Sequence, residues 1–382
     1  MSRTTVAFAA GAVVAILGVA ADATTVVHMT TVTELSKTLP ATGQEDLWVA
    51  AEDLPRINGF TLKSEGMCKG DICIPVRQDK DSDLYRAGQG SKWLNLTQFA
   101  RNLQQSHVHD AETDTWSFGE IPLTRDRFLQ SAEAPDFELK DRTGKLVKLS
   151  DFRGKKVMLV TWASWCGCRL DVAAWQPIYQ ELKAKNFELI SVAEDTAGEA
   201  AAGPIFDAAK VTYTSLIDPQ HLISSLYNFV NVPSAAWIDE QGKIVRINEG
   251  TYAKSHKMAA MTIGTDDYTP ALRDWIEKGA DSQYAWSKQQ VAGKIRSKSA
   301  AEAKAEAIFQ LGTYFHQQKN QGKAEQYWNL AQTMFPDSWN IHRQEWAIDE
   351  PQNANTNWSQ KFRSLKKPYY ADLELQQAKQ SQ

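Results

Sequence analysis

The sequence predicts an α/β domain with a central mixed sheet flanked by helices, preceded by a small α+β domain and followed by an all-α region. Three observations carry this. Val157-Met158-Leu159-Val160 is an apolar run of strand length, and residues 170–182 after it place Val172, Trp175, Ile178, Tyr179 and Leu182 at helical spacing. Further apolar runs at 187–193 and 214–217 alternate with helical stretches at 197–209 and 221–227, as in a sheet covered by helices. From Thr269 onward the pattern is helical throughout.

The 382 residues give room for two or three domains. With 43% hydrophobic and 23% charged residues the composition is ordinary for a globular protein, and the 13 tryptophans suit core packing. A net charge of −4 leaves no basic footprint for nucleic acid.

In chain order, residues 1–23 read as an export signal. Arg3 is followed by an apolar, small-residue stretch at 6–20 and by Ala21-Asp22-Ala23, a cleavage-type sequence. An uncleaved anchor is the competing reading, and the only one that brings a membrane. Either puts the rest of the chain outside the cytoplasm. Residues 24–44, Thr-rich and polar, read as a linker or short helix. Residues 45–130 read as the small α+β domain, its role unknown. Strands are expected at Leu47-Trp48-Val49, Phe60-Thr61-Leu62 and 71–76, and a helix at 94–103. A turn at 108–112 precedes a strand at Thr115-Trp116-Ser117-Phe118.

Cys68 and Cys73 flank Lys69-Gly70-Asp71-Ile72, a turn sequence. They are read as a structural pair pinning a hairpin, with a second redox pair or a metal clip as alternatives. His107 and His109 share one face of a strand by alternation and are the ligands a clip would use.

The chemistry centres on Thr161-Trp162-Ala163-Ser164-Trp165-Cys166-Gly167-Cys168-Arg169, where a strand hands over to a helix N-terminus. Backbone N–H groups and the helix dipole there favour thiolate over thiol. Around this stretch, residues 131–254 resemble the thioredoxin fold in its extracytoplasmic TlpA/ResA-like form. The resemblance rests on four pieces in order. Ala134-Pro135-Asp136-Phe137-Glu138-Leu139 is similar to the opening strand. Leu149-Ser150-Asp151-Phe152-Arg153-Gly154-Lys155 is similar to the lead-in. Trp-Ala-Ser-Trp-Cys follows, and Val232-Pro233-Ser234 is similar to the cis-proline turn.

The resemblance implies a bacterial, periplasmic protein that exchanges disulfides with protein thiols and a redox partner. Cys166 would be the nucleophile and Cys168 the resolving thiol. Trp165 would flank the nucleophile. Pro233 would lie against the cysteines, and the Val232 backbone would pair with a substrate strand. One departure stands out: the family has two residues between its cysteines, and this chain has only Gly167. The smaller ring is expected to give a more strained, more oxidising pair.

Three rivals are weighed. Peroxide reduction wants Thr or Ser where Ala163 stands. A soft-metal chaperone would hold Cu(I) on the two thiolates, with His221 or His256 as a further ligand. A non-catalytic binding module would use the flanking regions. No phosphate loop, Ser/His/Asp arrangement or paired-carboxylate site can be argued, and neither cofactor nor resident metal is expected.

At 268–350, two helices at 300–317 and 322–334 resemble one tetratricopeptide repeat, with Gly312, Phe315, Ala324, Trp328, Ala331 and Pro336 at its spacing. They are read as a cap on the redox domain, with a peptide-binding groove as the functional alternative. The tail, 351–382, is expected to be disordered in its Gln-rich part after Lys366.

Overall fold

The structure is a computed structural model of the chain, describing residues 23–375 apart from 41–44, 71, 123–124 and 259–260. The predicted export segment at 1–22 and the last seven residues lie outside the described residues. Among those described, no helix is long and apolar enough to cross a membrane.

A five-stranded mixed sheet forms the centre, ordered Thr214–Ile217, Phe187–Ala193, Lys156–Trp162, Ser234–Ile238, Ile244–Glu249. The first three strands are parallel; the last two run antiparallel to their neighbours. Lys156–Trp162 is the middle strand and is buried from Val157 to Trp162. Alternation divides its side chains between two cores. Met158, Val160 and Trp162 pack with the helices Asp171–Leu182, Glu199–Ala209 and Tyr268–Lys278. Val157 and Leu159 pack with Leu222, Ile223, Tyr227 and Val291 on the other face. A strand covered on both faces has to be apolar along its whole length, which is why its sequence does not alternate.

Among the described residues before 120, the strands form three smaller sheets. The first is ordered His107–Asp110, Thr115–Phe118, Thr24–His28, Thr31–Leu35. Residues 24–35 are therefore not a linker or helix. Thr24–His28 runs parallel to Thr115–Phe118, and Val26 is fully buried. The β-branched Thr24-Thr25-Val26-Val27 suits a pleated strand, but its partner is some 90 residues away and leaves no local period. The second sheet is ordered Thr38–Leu39, Trp48–Ala50, Ser91–Asn95, Tyr85–Gly88. The third is the meander Thr61–Lys63, Gly66–Lys69, Ile72–Ile74. The expected helix is present at Leu96–Asn102, its N-terminus capped by the Asn95 side chain.

The helices Ala300–Gln317 and Gln321–Met334 form a hairpin capped by Ser299 and Asn320. It joins the front and middle of the chain. The Ser117 hydroxyl donates to Ala307 O at 2.8 Å, and Asp110 accepts from Lys323 and Tyr327, each at 2.7 Å. The next helix, Trp339–Asp349, begins on the loop before the central sheet's fourth strand, where Trp339 N–H donates to Val230 O at 2.7 Å. The tail departs from expectation. Residues 366–375 are ordered against the redox domain, where Arg246 donates to the carbonyls of Leu373 and Glu374. Tyr370 and Leu373 join the apolar core around Trp237, so aromatic burial outweighs the polar composition.

The hairpin's close approach depends on Gly312. A Cβ there would lie 2.6 Å from Trp328 Cδ1 and 3.1 Å from Ala324 O. Gly312→Ala is expected to cost about 1–3 kcal/mol through overpacking, read as a lower urea midpoint with the far-ultraviolet spectrum retained.

Candidate active site

Strand Lys156–Trp162 ends at a tight loop, Cys166 N–H donating to Ala163 O at 3.0 Å. A 3-10 turn, Gly167–Leu170, then leads into the helix Asp171–Leu182. Cys166 caps that turn: Cys168 N–H points at Cys166 Sγ from 3.2 Å. The nucleophile candidate thus sits at the N-terminal end of the helical segment, with the Cys168 N–H on its sulfur. Cys166 and Cys168 are bonded to each other, with Cα atoms 5.1 Å apart. The Val232–Pro233 peptide bond is cis, and Val232 O lies 3.6 Å from Cys166 Sγ. The structure therefore brings together Trp165, Cys166, Cys168, Val232 and Pro233.

Gly167 lies close against a neighbour, and its own φ is not in the left-handed region. A Cβ at this position would meet Met258 Sδ at 2.6 Å and Ile263 Cδ1 at 2.8 Å. Both belong to a hairpin, His256–Met258 and Met261–Ile263, that leans over the cysteine loop.

Trp165 is held by the distant helix Trp339–Asp349. Its Nε1–H donates to Gln344 Oε1 at 3.1 Å, Arg343 stacks 4.6 Å over its ring, and Arg343 Nη2 donates to its carbonyl at 2.8 Å. Gln344 Oε1 also accepts from Thr196 N–H at 2.9 Å. Nothing in the sequence around Arg343 and Gln344 marks them, because their partners lie well over a hundred residues away.

Two carboxylates missed as site groups flank the loop. Asp171 is buried, accepting from Ala253 N–H at 2.9 Å with His256 Nε2 2.6 Å away. Burial pushes its pKa up to about 6 against the opposing His256 contact. Its one sequence signal is position: the first turn of the helix, three residues after Cys168. Asp195 accepts from Ser164 N–H and Oγ–H at 2.9 and 2.5 Å and is likewise raised to about 6 by burial.

The remaining candidates are elsewhere or engaged. Cys68 and Cys73 are bonded as directly opposed residues of the meander, Cys68 buried and Cys73 exposed, and neither lines the Cys166 cleft. His107 and His109 do share a face, but they stack on Phe118 and Trp116. His221 is buried edge-on to Phe309 with Nε2 3.3 Å from Gln344 Oε1, and His256 is held by Asp171. Among the described residues, the cluster of three metal-type ligands is Glu65, Cys68 and Cys73; none forms around Cys166 and Cys168.

Behind the loop, Glu194 is fully enclosed and pushed up to about 8, first by burial and then by the Asp218 carboxylate. It accepts from Ser224 N–H and Oγ–H at 2.8 and 2.6 Å and from Asn340 at 3.2 Å. The folded state holds a proton that the unfolded chain releases between its ordinary value of 4.5 and about 8. Stability linked to Glu194 is therefore highest at the acid end and falls as pH rises through that window. Relative to Glu194→Gln, the wild type is expected to lose stability from pH 5 to pH 8 in urea denaturation; a constant difference would contradict this.

The AhpC/TSA family matches residues 131–247. The thioredoxin-like protein YneN of Bacillus subtilis (strain 168) is 34% identical over 128 residues, 33% of this chain and 74% of its own length. The thiol-disulfide oxidoreductase ResA of Geobacillus kaustophilus (strain HTA426) is 32% identical over 124 residues, 32% of this chain and 70% of its own. The crystal structure of StoA from Bacillus subtilis, 20% identical with a TM-score of 0.29, covers 38% of this chain and 98% of that one. With the cysteine loop and the cis-proline turn inside the matched region, the chain belongs to the thioredoxin-like family, in its ResA-type branch of thiol–disulfide oxidoreductases.

Proposed function

We propose that this protein is an extracytoplasmic thiol–disulfide oxidoreductase that exchanges disulfides with protein thiols through Cys166-Gly167-Cys168. One observation carries the reading: the bonded Cys166–Cys168 pair stands at a helix N-terminus, against the cis-proline turn, with Cys166 opening onto a cleft of about 670 Å³. Cys168 faces inward instead, lining a small internal cavity with Asp171 and Pro233. Both residues are buried, Cys166 2% and Cys168 0% exposed, and the division between the two cavities supports Cys166 as the attacking sulfur and Cys168 as the resolving one.

In the reducing direction, the Cys166 thiolate attacks a substrate disulfide. One substrate sulfur leaves as a thiolate and takes a proton, and the other is joined to Cys166. Cys168 then loses its proton, for which we infer Asp171, lining the same internal cavity, as acceptor, and attacks Cys166. The bond from Cys166 to the substrate breaks, the second substrate sulfur leaves as a thiolate and takes a proton, and the Cys166–Cys168 bond forms. A dithiol partner returns the pair to its reduced state. The oxidising direction is the exact reverse, with a disulfide partner. Location outside the cytoplasm is supported by the signal-like residues 1–23 and by a second bonded pair at Cys68 and Cys73.

Mass spectrometry after alkylation, across a series of glutathione redox buffers, tests the reading. Cys166 and Cys168 should interconvert reversibly between dithiol and disulfide. Cys166→Ser should abolish exchange, and Cys168→Ser should accumulate a mixed disulfide on Cys166. A pair that never oxidises in the folded protein sinks the proposal.

A further inference from the structure

We propose that the cleft over Cys166 selects a cysteine flanked by apolar side chains and a nearby carboxylate, recognised through side chains rather than by strand pairing at Val232. This rests on the thiol–disulfide reading above and adds the substrate class.

The strand edge beside the cis-proline is already closed by the chain itself. Tyr370 OH donates to Val232 O at 2.7 Å, and Val232 N–H donates to Asn231 Oδ1 at 3.0 Å. Tyr370 is fixed in turn: its ring lies so close to Gly250 that a Cβ there would be 2.7 Å from Tyr370 Cγ. Beyond it, Arg246 holds the carbonyls of Leu373 and Glu374. Neither polar group of the Val232 backbone is free to join a substrate main chain.

Recognition passes to the walls. Met258, Met261 and Ile263 come from the leaning hairpin, and Trp358 and Phe362 from the helix Ala354–Arg363. Met261 and Phe362 are 42% and 37% exposed, so apolar surface faces water beside Cys166 and gains from being covered. The volume, about 670 Å³, suits a few side chains rather than a folded domain.

The charge is one-sided. Arg169 and Arg343 line the cleft, and among the described residues no Asp or Glu does. Arg169 donates to the carbonyls of Ser164 and Cys166 at 3.3 Å, and Arg343 to Trp165 O and Tyr369 OH at 2.8 and 3.4 Å. Among the described residues neither guanidinium has a carboxylate partner in an ion pair, and a substrate carboxylate fills that place.

The test measures the rate at which the reduced full-length protein reduces three short peptides carrying the same mixed disulfide. One sets the cysteine between Leu and Trp with an adjacent Asp, one replaces the apolar residues by Ser, and one replaces Asp by Lys. The first should react about tenfold faster than either other, a difference of about 1.4 kcal/mol. Phe362→Ser and, at the more exposed position, Met261→Ser should each collapse the apolar preference. N-methylation of the peptide backbone beside the cysteine should leave the first rate within about twofold, since no main-chain pairing is used; a tenfold loss would show strand pairing and overturn the proposal. Equal rates on all three peptides would also overturn it, while reduction of the small neutral hydroxyethyl disulfide showed that the redox chemistry stands. Failure on hydroxyethyl disulfide as well would take down both readings.

Discussion

A single amide oxygen ties the redox loop to the rest of the molecule. Gln344 Oε1 accepts from the Trp165 indole and from Thr196 N–H, joining the residue before Cys166 to the end of a neighbouring strand and to a helix near the C-terminus. The bond to Thr196 N–H is buried, and that donor would otherwise be stranded away from water at a cost of about 1–3 kcal/mol. Arg343 beside it adds a stacking contact and a hydrogen bond to the same tryptophan. The position of the Cys166 loop is therefore tied to the helical region. The helices are part of the site's scaffold, and the chain works as one unit from the parallel N-terminal strand to the tail.

Local chemistry was legible in the sequence and long-range closure was not. The strand ending at Trp162, the Cys166 and Cys168 loop and the Val232–Pro233 turn were readable because each is written in consecutive residues. Gly312 was readable through its spacing to the residues of the facing helix. Thr24–His28 was misread because a parallel strand's partner is remote, so nothing nearby announces it. The tail was misread for a related reason: its composition is polar, yet Tyr370 and Leu373 find a core already built by other elements. The Arg343–Gln344 clamp has no local pattern at all. What the sequence hid is the enclosure of the site, which is also what separates this protein from a bare redox domain.

The buried carboxylates follow the same division. Asp171, Asp195 and Glu194 lie within or behind the cysteine loop, and burial raises each. All are hydrogen-bonded, so the cost of enclosing them is partly offset, and the remainder favours the protonated form. Of the three, Asp171 shares a small internal cavity with Cys168, whereas Cys166 lines the larger cleft. Asp195 is tied to Ser164 of the loop, and Glu194 to Ser224 behind it.

The bare α-carbon of Gly167 has a further meaning for how such a site can change. The hairpin carrying Met258 and Ile263 fills the space that any side chain there would need. A side chain placed there would first meet the ends of two flexible side chains, Met258 Sδ and Ile263 Cδ1. The short loop and the overhanging hairpin therefore fit each other through parts that can repack. Change at position 167 starts with those two side chains, and the hairpin backbone can stay where it is.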